Sequence, residues 1–133
     1  MKNREITQNE IFEIGYKAKN ASYKVASLDS KIKNDILHSS AENLKKNKQL
    51  IINENEKDVE QNREKLTSAT LDRLILDEKR INAMCDGLID ISKLDDPVGK
   101  IIDDWSRPNG LKIQKVSIPL GVIGVIYESR PNV

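Results

Sequence analysis

The distribution of helix-breaking residues divides this sequence of 133 residues into two unlike parts. All four prolines lie after residue 96, and so do four of the six glycines. Proline removes a backbone donor and clashes with the preceding turn, whereas glycine loses the most conformational freedom on folding, so both interrupt helices. Residues 1–96 contain only Gly15 and Gly87 as breakers. The pattern therefore predicts long helices in the first part and short strands and turns in the second.

The start of the chain carries the signature of two amphipathic helices. Thr7 and Glu10 have the spacing of a capping box, in which each side chain satisfies a free backbone donor of the first helical turn. Asp29 or Ser30 serves as the N-cap of the second helix. The apolar positions that recur at helical spacing are Ile11, Ile14, Ala18, Ala21, Val25 and Leu28, followed by Ile32, Ile36, Leu37, Ala41 and Leu44.

Three further helical segments are predicted before the prolines begin. Residues 50–63 form a helix with a solvated second half, and residues 68–74 form a short turn of helix. Asp77 caps a last helix. The residues of that helix that we expect to face inward are Ile81, Met84, Cys85, Leu88 and Ile91.

Residues 100–118 carry the signal of a β-hairpin. Two short β-prone runs flank an Asn-Gly dipeptide at positions 109–110, and Asn-Gly is a strong hairpin signal because both residues tolerate positive φ. The apolar residues change faces between Ile113 and Val116. This change of phase predicts a bulge or bend near Lys115.

A continuous apolar run follows the hairpin. Residues 122–126 are apolar except for Gly124, a pattern typical of a strand that is buried on both faces of a parallel α/β sheet. A parallel neighbour requires a crossover of a dozen or more residues, but only residues 128–133 remain. The strand has no sheet to join within the chain, so we expect the sequence to be cut short.

A polar turn follows this run, where α/β folds place their ligands. The planar guanidinium of Arg130 suits bidentate contact with a carboxylate or phosphate, and Pro131 suits the first position of a helix. An anion could therefore lie between Arg130 and the amino terminus of that helix. The alternative is an ordinary polar turn between a strand and a helix, and the residue types alone leave both open.

Charge and composition exclude several classes of function. Lys+Arg 22 against Asp+Glu 21 gives a net charge of +1, which argues against nucleic-acid binding through overall charge. One cysteine, Cys85, and one histidine, His38, provide neither an internal disulfide nor a zinc site. No apolar stretch approaches the ~20 residues of a transmembrane helix, and no apolar segment of a secretory signal follows the first residues. The composition predicts a cytoplasmic chain without metal, membrane contact or nucleic-acid partner.

Residues 119–133, which read Pro-Leu-Gly-Val-Ile-Gly-Val-Ile-Tyr-Glu-Ser-Arg-Pro-Asn-Val, closely resemble a segment of γ-glutamyl phosphate reductase. This family, also called glutamate-5-semialdehyde dehydrogenase, belongs to the aldehyde dehydrogenase superfamily, and the segment enters its cofactor domain. The resemblance extends upstream in the family's order through Leu71-Asp72-Arg73-Leu74, Asp77-Glu78-Lys79-Arg80-Ile81, Asp96-Pro97-Val98-Gly99 and the stretch from Trp105 to Gly110.

The resemblance implies an α/β fold of the aldehyde dehydrogenase type, of which this chain holds the amino-terminal portion. Residues 1–99 would be the helical amino-terminal part of the cofactor domain. Residues 100–118 would be a β-hairpin arm of the type that builds homo-oligomers in the superfamily. Residues 119–133 would be the first strand and turn of a Rossmann-like cofactor sheet that is truncated here.

The resemblance also implies a reaction, the NADPH-dependent reduction of L-glutamate 5-phosphate to L-glutamate 5-semialdehyde and phosphate in proline biosynthesis. In the family a cysteine thiolate attacks the acyl phosphate, and this cysteine lies downstream of the segment matched here. Cys85 is not expected to replace it, because it sits on the apolar stripe of a helix, where a cysteine is usually an inert small hydrophobe. His38 is expected to be an ordinary helix residue rather than a general base. The chain alone is therefore expected to be inactive.

Five residues of the last segment are the candidate site residues that the resemblance implies. Tyr127 and Glu128 match the strand end that approaches the NADPH cofactor, and Ser129, Arg130 and Asn132 match the turn near the substrate. Arg130 would bind an anionic group, and Asn132 would donate a hydrogen bond. A second hypothesis is a catalytically dead helical interaction module from a truncated gene.

Overall fold

A computed structural model describes residues 7–127 and 130–133, and within them it contains five α-helices and one two-stranded sheet. The chain divides into two compact units, the first made of residues up to Asp29 with Asp95–Gly124 and the second of Ser30–Leu94 with Val125–Val133. In chain order the elements are α1 (Gln8–Ala26), α2 (Ser30–Lys46), α3 (Lys48–Asn62), α4 (Ser68–Leu74), α5 (Glu78–Ser92), β1 (Ile101–Ser106) and β2 (Lys112–Val116).

The hydrophobic core lies in the second unit, where α2 and α5 pack against each other. Ile81 and Cys85 of α5 are fully buried, and Ala41 of α2 and Leu76 in the α4–α5 loop are nearly so. These positions confirm the inward face predicted for the first half of α5. The prediction is wrong at Ile91, which is 53% exposed, because the last turn of α5 turns Ser92 and not Ile91 inward.

A buried asparagine joins α3 to the loop between α4 and α5. The side-chain amide of Asn55 donates to the carbonyl of Leu74 at 2.9 Å, and its oxygen accepts from the amide of Leu76 at 2.6 Å. Asn55 is only 8% exposed, so neither loop group can easily exchange its partner for water. These two bonds fix the course of the chain where α4 ends. They therefore hold the loop that leads into α5.

In the first unit, α1 begins with the predicted capping box. The side chain of Thr7 accepts from the amide of Glu10, and the Glu10 carboxylate accepts from the amide of Thr7. No residue of α1 is buried, and Ile11 and Ile14 are more than half exposed. The apolar stripe predicted for this helix is therefore present, but it is not buried in this chain. Helical periodicity shows that a face is amphipathic, but it does not supply the surface that would cover it.

The second half of the first unit is the predicted antiparallel hairpin of β1 and β2. The loop is closed by a bond from the amide of Arg107 to the carbonyl of Leu111, and Gly110 has φ of 85°. It is a three-residue loop with a glycine in the left-handed region, a common hairpin connection. The register shifts between Ile101 and Asp103, opposite Lys115. The irregularity predicted near Lys115 therefore exists, with the extra residue in β1.

The apolar run after the hairpin forms no strand in this chain. Residues 117–127 carry no ladder among the described residues, and Ile126 is fully exposed. A strand exists only when another strand satisfies its backbone groups, and no described residue pairs with this segment. The β-prone sequence at 122–127 is therefore exposed and outside any strand here, and does not form the buried strand that the pattern predicts.

Candidate functional site

A cavity of the second unit lies between the end of α4, the first turns of α5 and the turn near the end of the chain. Its volume is about 510 Å³. Two of its lining residues are Arg130 and Asn132, which the sequence marks as candidate site residues. The opposite wall is made by the α4–α5 region. The structure thus brings the predicted turn against a part of the chain that precedes it by a long stretch of sequence.

Arg80, one of the arginines that line this cavity, stabilises the end of α4. The guanidinium of Arg80 donates through Nη1 to the carbonyls of Asp72 and Ile75, the latter at 2.6 Å, and through Nη2 to the Asp72 carboxylate at 3.0 Å. The carbonyls at the end of a helix lack intrahelical partners, and a cationic donor there satisfies them and suits the helix dipole. Arg80 therefore caps the carboxyl end of α4 and forms an ion pair with the carboxylate of Asp72.

Two other arginines line the same cavity without such partners. The side chains of Arg73 and Arg130 make no hydrogen bond or ion pair with any residue in the ranges 7–127 and 130–133. Both also line a second cavity of about 290 Å³, together with Ile126 and Tyr127. The two cationic side chains are thus neighbours around both cavities. Each is exposed and free to contact a ligand.

The structure therefore places three of the five predicted site residues. Arg130 and Asn132 line the larger cavity, and Tyr127 lines the smaller one. Glu128 and Ser129 lie outside the described residues. The sequence analysis missed Arg73, whose position within the Leu-Asp-Arg-Leu motif at 71–74 was the only signal that could have pointed to it.

The single cysteine is a core residue. Cys85 has no exposed surface, and its thiol faces the carbonyl of Ala41 at 3.5 Å. A thiol acts as a nucleophile only as an accessible thiolate, usually beside a basic group or a helix amino terminus. The burial of Cys85 between α2 and α5 fits the prediction that it is an inert small hydrophobe.

We expect Cys85 to react with a water-soluble disulfide reagent about 100-fold more slowly in the folded chain than in urea, because the thiol becomes accessible only when α2 and α5 separate. The released thiolate of the reagent gives the rate by absorbance. Since Cys85 is the only cysteine, all of the signal comes from this position. Equal rates with and without urea would show that the α2–α5 core is not formed.

The single histidine also has a structural partner. His38 Nε2 lies 3.2 Å from the hydroxyl of Ser92, and that hydroxyl donates to the carbonyl of Ile89 at 2.7 Å. Because the one hydroxyl proton is used at Ile89, the geometry assigns the donor role to His38 Nε2. This bond links α2 to the end of α5, as expected for an ordinary helix residue.

No group of three or more His, Cys, Asp or Glu side chains in 7–127 and 130–133 is arranged to hold a metal ion. None of the helices in these ranges is long and apolar enough to cross a membrane.

Comparison with known proteins shows which enzymes this chain resembles. No family model matches the chain. A γ-glutamyl phosphate reductase from Nautilia profundicola is 56% identical over 122 residues, which are 91% of this chain and 30% of the relative. One from Clostridium tetani is 51% identical over 120 residues, or 90% of this chain and 28% of the relative. This chain is a relative of the amino-terminal portion of the γ-glutamyl phosphate reductases.

Solved structures of γ-glutamyl phosphate reductases show the same fold. The crystal structure of the Thermotoga maritima enzyme superposes with a TM-score of 0.88 at 39% identity, covering 92% of this chain and 30% of that one. The Saccharomyces cerevisiae enzyme gives a TM-score of 0.86 at 30% identity, covering 96% of this chain and 32% of that one. The expected α/β fold class, represented here by its helical portion and a hairpin, is confirmed. The chain spans about 30% of the length of the relatives it matches.

Proposed function

We propose that this chain forms the amino-terminal portion of an enzyme that reduces L-glutamate 5-phosphate with NADPH to L-glutamate 5-semialdehyde and phosphate, a step of proline biosynthesis. The relatives named γ-glutamyl phosphate reductase support this reaction. The structural observation that carries the proposal is the position of Arg130 and Asn132 on the wall of one cavity. A guanidinium and an amide are the groups that recognise a phosphate and a carbonyl oxygen.

In this reaction the chain's own residues would bind and orient the acyl phosphate. Arg130 would hold an anionic group of the substrate, and Asn132 would donate to the carbonyl oxygen as negative charge develops on it. Ser129 is proposed to contribute to the same turn. The nucleophilic cysteine is proposed to lie outside residues 1–133, because Cys85 is buried among apolar side chains.

NADPH would supply the hydride. Tyr127, which lines the smaller cavity beside Ile126, offers an apolar ring of the kind that packs against a cofactor. Glu128, the next residue, is proposed to act with it. The ring of Tyr127 suits a dinucleotide beside the smaller cavity, although a glycine-rich phosphate-binding fingerprint is absent from this sequence.

The proposed organisation assigns a role to each part of the chain. Residues 1–99 would cover one side of the cofactor domain, residues 119–133 would enter its sheet, and residues 100–118 would join subunits of a homo-oligomer. The exposed faces of α1 and of residues 122–127 support this organisation, because they are apolar surfaces that a larger assembly would cover. We propose a cytoplasmic location for this assembly. The alternative of an inactive helical interaction module is not favoured, since the relatives carry an enzyme's name.

A chimaeric enzyme tests the proposal. This chain replaces the matching segment of the Nautilia profundicola relative, and the reverse reaction is followed as NADPH formed from glutamate 5-semialdehyde, phosphate and NADP⁺. We expect activity in the chimaera and a loss of about 100-fold in kcat/KM for Asn132→Ala, since a donor to the developing oxyanion is removed. Arg63→Gln, in which the lost side chain pairs only with Glu60, is the control. A folded chimaera without activity would contradict the proposed function.

A further inference from the structure

Arg73 is the residue of the site that neither the motif at 128–132 nor the comparisons assign. We propose that Arg73 and Arg130 together form a two-arginine subsite for the phosphoryl group of a ligand. The ligand's identity rests on the proposed function, but the subsite itself rests on the arrangement of the second unit.

The side chains of Arg73 and Arg130 share their position around two cavities. Arg73 lies in the last turn of the short helix α4, and Arg130 lies in the turn near the end of the chain. Both line the cavity of about 510 Å³, and both line the neighbouring cavity of about 290 Å³. One anion between them could therefore contact both guanidinium groups. Two planar forks provide more than one bidentate contact, which is the geometry that phosphate oxygens favour.

The two guanidinium groups also lack a counter-charge among the described residues. The carboxylate nearest in sequence, Asp72, is held by Arg80 at 3.0 Å. Within 7–127 and 130–133 neither Arg73 nor Arg130 has an ion-pair partner. Arginine remains protonated at any physiological pH, so two unpaired guanidinium groups beside one cavity repel each other. An anion bound between them would remove this repulsion.

Arg80 lines the same cavity as Arg73 and Arg130, but its guanidinium is hydrogen-bonded within the described residues and theirs are not. Arg80 is half-buried and makes three hydrogen bonds to the end of α4. It sets the backbone from which Arg73 projects, and it satisfies the carbonyl groups that would otherwise attract Arg73. Arg73 is therefore left without a local structural task.

The remaining lining of the larger cavity indicates which kind of phosphorylated ligand fits. Beside Asp72 and Arg80, which pair with each other, it consists of the apolar side chains of Ile75, Leu76, Ala83 and Met84. Together with the two arginines and Asn132, it suits a phosphoryl group carried by a short carbon chain, because apolar walls and a few convergent polar groups are typical of small-ligand sites. The phosphoryl group could come from an acyl phosphate or from a phosphate of the dinucleotide, and binding experiments distinguish these sources.

The test uses the full 133-residue chain, with the arginine Nε–Hε resonances followed by nuclear magnetic resonance during titration with inorganic phosphate. We expect saturable shifts at Arg73 and Arg130. Arg73→Gln and Arg130→Gln should each weaken phosphate binding by at least about tenfold, as expected when a charge-assisted bond is lost. Arg73→Lys keeps the charge but loses the fork, so it should bind phosphate at an intermediate level.

The control is Arg107→Gln, which removes another exposed arginine that lines neither cavity. It should leave phosphate binding unchanged. Shifts that do not saturate, or equal weakening by Arg107→Gln, would overturn the proposal, because they would show only nonspecific attraction to cations. A far-ultraviolet circular dichroism spectrum confirms the fold of each variant. Since Arg73 lies exposed at a helix end, its replacement should not disturb the α2–α5 core.

Two competitors identify the source of the phosphoryl group. If the subsite binds an acyl phosphate, acetyl phosphate should displace inorganic phosphate from it. If the subsite binds the 2′-phosphate of the cofactor, NADP⁺ should displace inorganic phosphate and NAD⁺ should not. In the chimaeric enzyme Arg73→Gln should raise KM for phosphate more than it lowers kcat. Phosphate binding without chimaeric activity would refute the proposed reaction alone, whereas an active chimaera indifferent to Arg73→Gln would refute the subsite alone.

Discussion

Replacing Asn55 by leucine is expected to lower the free energy of unfolding by about 3 kcal/mol, the largest effect we expect from a single polar side chain of this chain. The leucine keeps the branched shape of the side chain and has a higher helix propensity, but it makes neither hydrogen bond of Asn55. The amide of Leu76 and the carbonyl of Leu74 then lose their side-chain partner. Because Leu76 is only 5% exposed, water cannot readily replace the asparagine.

Urea denaturation followed by circular dichroism at 222 nm measures this change. With a dependence on urea of about 1–3 kcal/mol per molar, the midpoint should fall by roughly 1.5 M. Asn53→Leu is the matched control, since Asn53 lies on the exposed side of the same helix and bonds only to Gln49. Its free energy of unfolding should change by no more than about 0.5 kcal/mol, as is usual for surface substitutions. Equal midpoints for the two variants would show that Asn55 does not tie α3 to the loop.

The effect of Asn55→Leu should reach the candidate site as well. The loop that Asn55 holds contains Ile75 and Leu76, which line the larger cavity, and Arg80 bonds to the carbonyl of Ile75. If the loop loosens, the end of α4 and with it Arg73 lose their fixed position. Weaker phosphate binding by this variant, under conditions where it remains folded, would connect the buried asparagine to the site.

Ile81→Ala is expected to destabilise the second unit by about 3 kcal/mol, since removing methyl groups from a filled core costs both transfer free energy and a cavity. Ile81 is completely buried in the cluster with Ala41, Leu76 and Cys85. A small unit of this kind has only a few such residues. Losing one should remove a large fraction of a stability of about 5–15 kcal/mol.

The comparison with Ile91→Ala separates the effect of burial from the effect of losing an isoleucine from the apolar stripe of α5. Ile91 lies on the same apolar stripe of α5 in the sequence, but it is 53% exposed. Its truncation should cost less than about 1 kcal/mol, because little apolar surface is returned to water and alanine favours the helix. Thermal or urea unfolding of both variants gives the answer. A similar loss for the two would mean that α5 is covered along its whole length, as the periodicity alone predicts.

Local features of this fold could be predicted from the sequence because local interactions decide them. Thr7 with Glu10 and the side chain of Asp77 begin helices through bonds to backbone groups three residues away. The hairpin turns at Gly110, which adopts the positive φ that glycine tolerates best. The resemblance carried by residues 119–133 likewise predicted the relatives and the fold class.

Burial and the composition of the candidate site were harder to predict from the sequence, because they depend on which surfaces pack against each other. The apolar stripe of α1 is exposed, and Ile91, which was predicted to face inward, is exposed as well, since a face is buried only where another element covers it. The run at 122–127 has the sequence of a buried strand, yet a strand needs a neighbour to pair with. Arg73 carries no signal of its own within its helix.

The sequence by itself determined where helices and turns begin and end, and to which enzymes this chain is related. Caps, breakers and turn residues act over a few positions, so their order along the chain is sufficient. Only the tertiary structure decided that Asn55 and Cys85 are buried, that Arg80 closes α4, and that Arg73 and Arg130 line the same cavities. Most of these outcomes join residues far apart in the chain, as Cys85 is joined to Ala41 and Asn55 to Leu76, so they depend on which elements pack together and not on local signals.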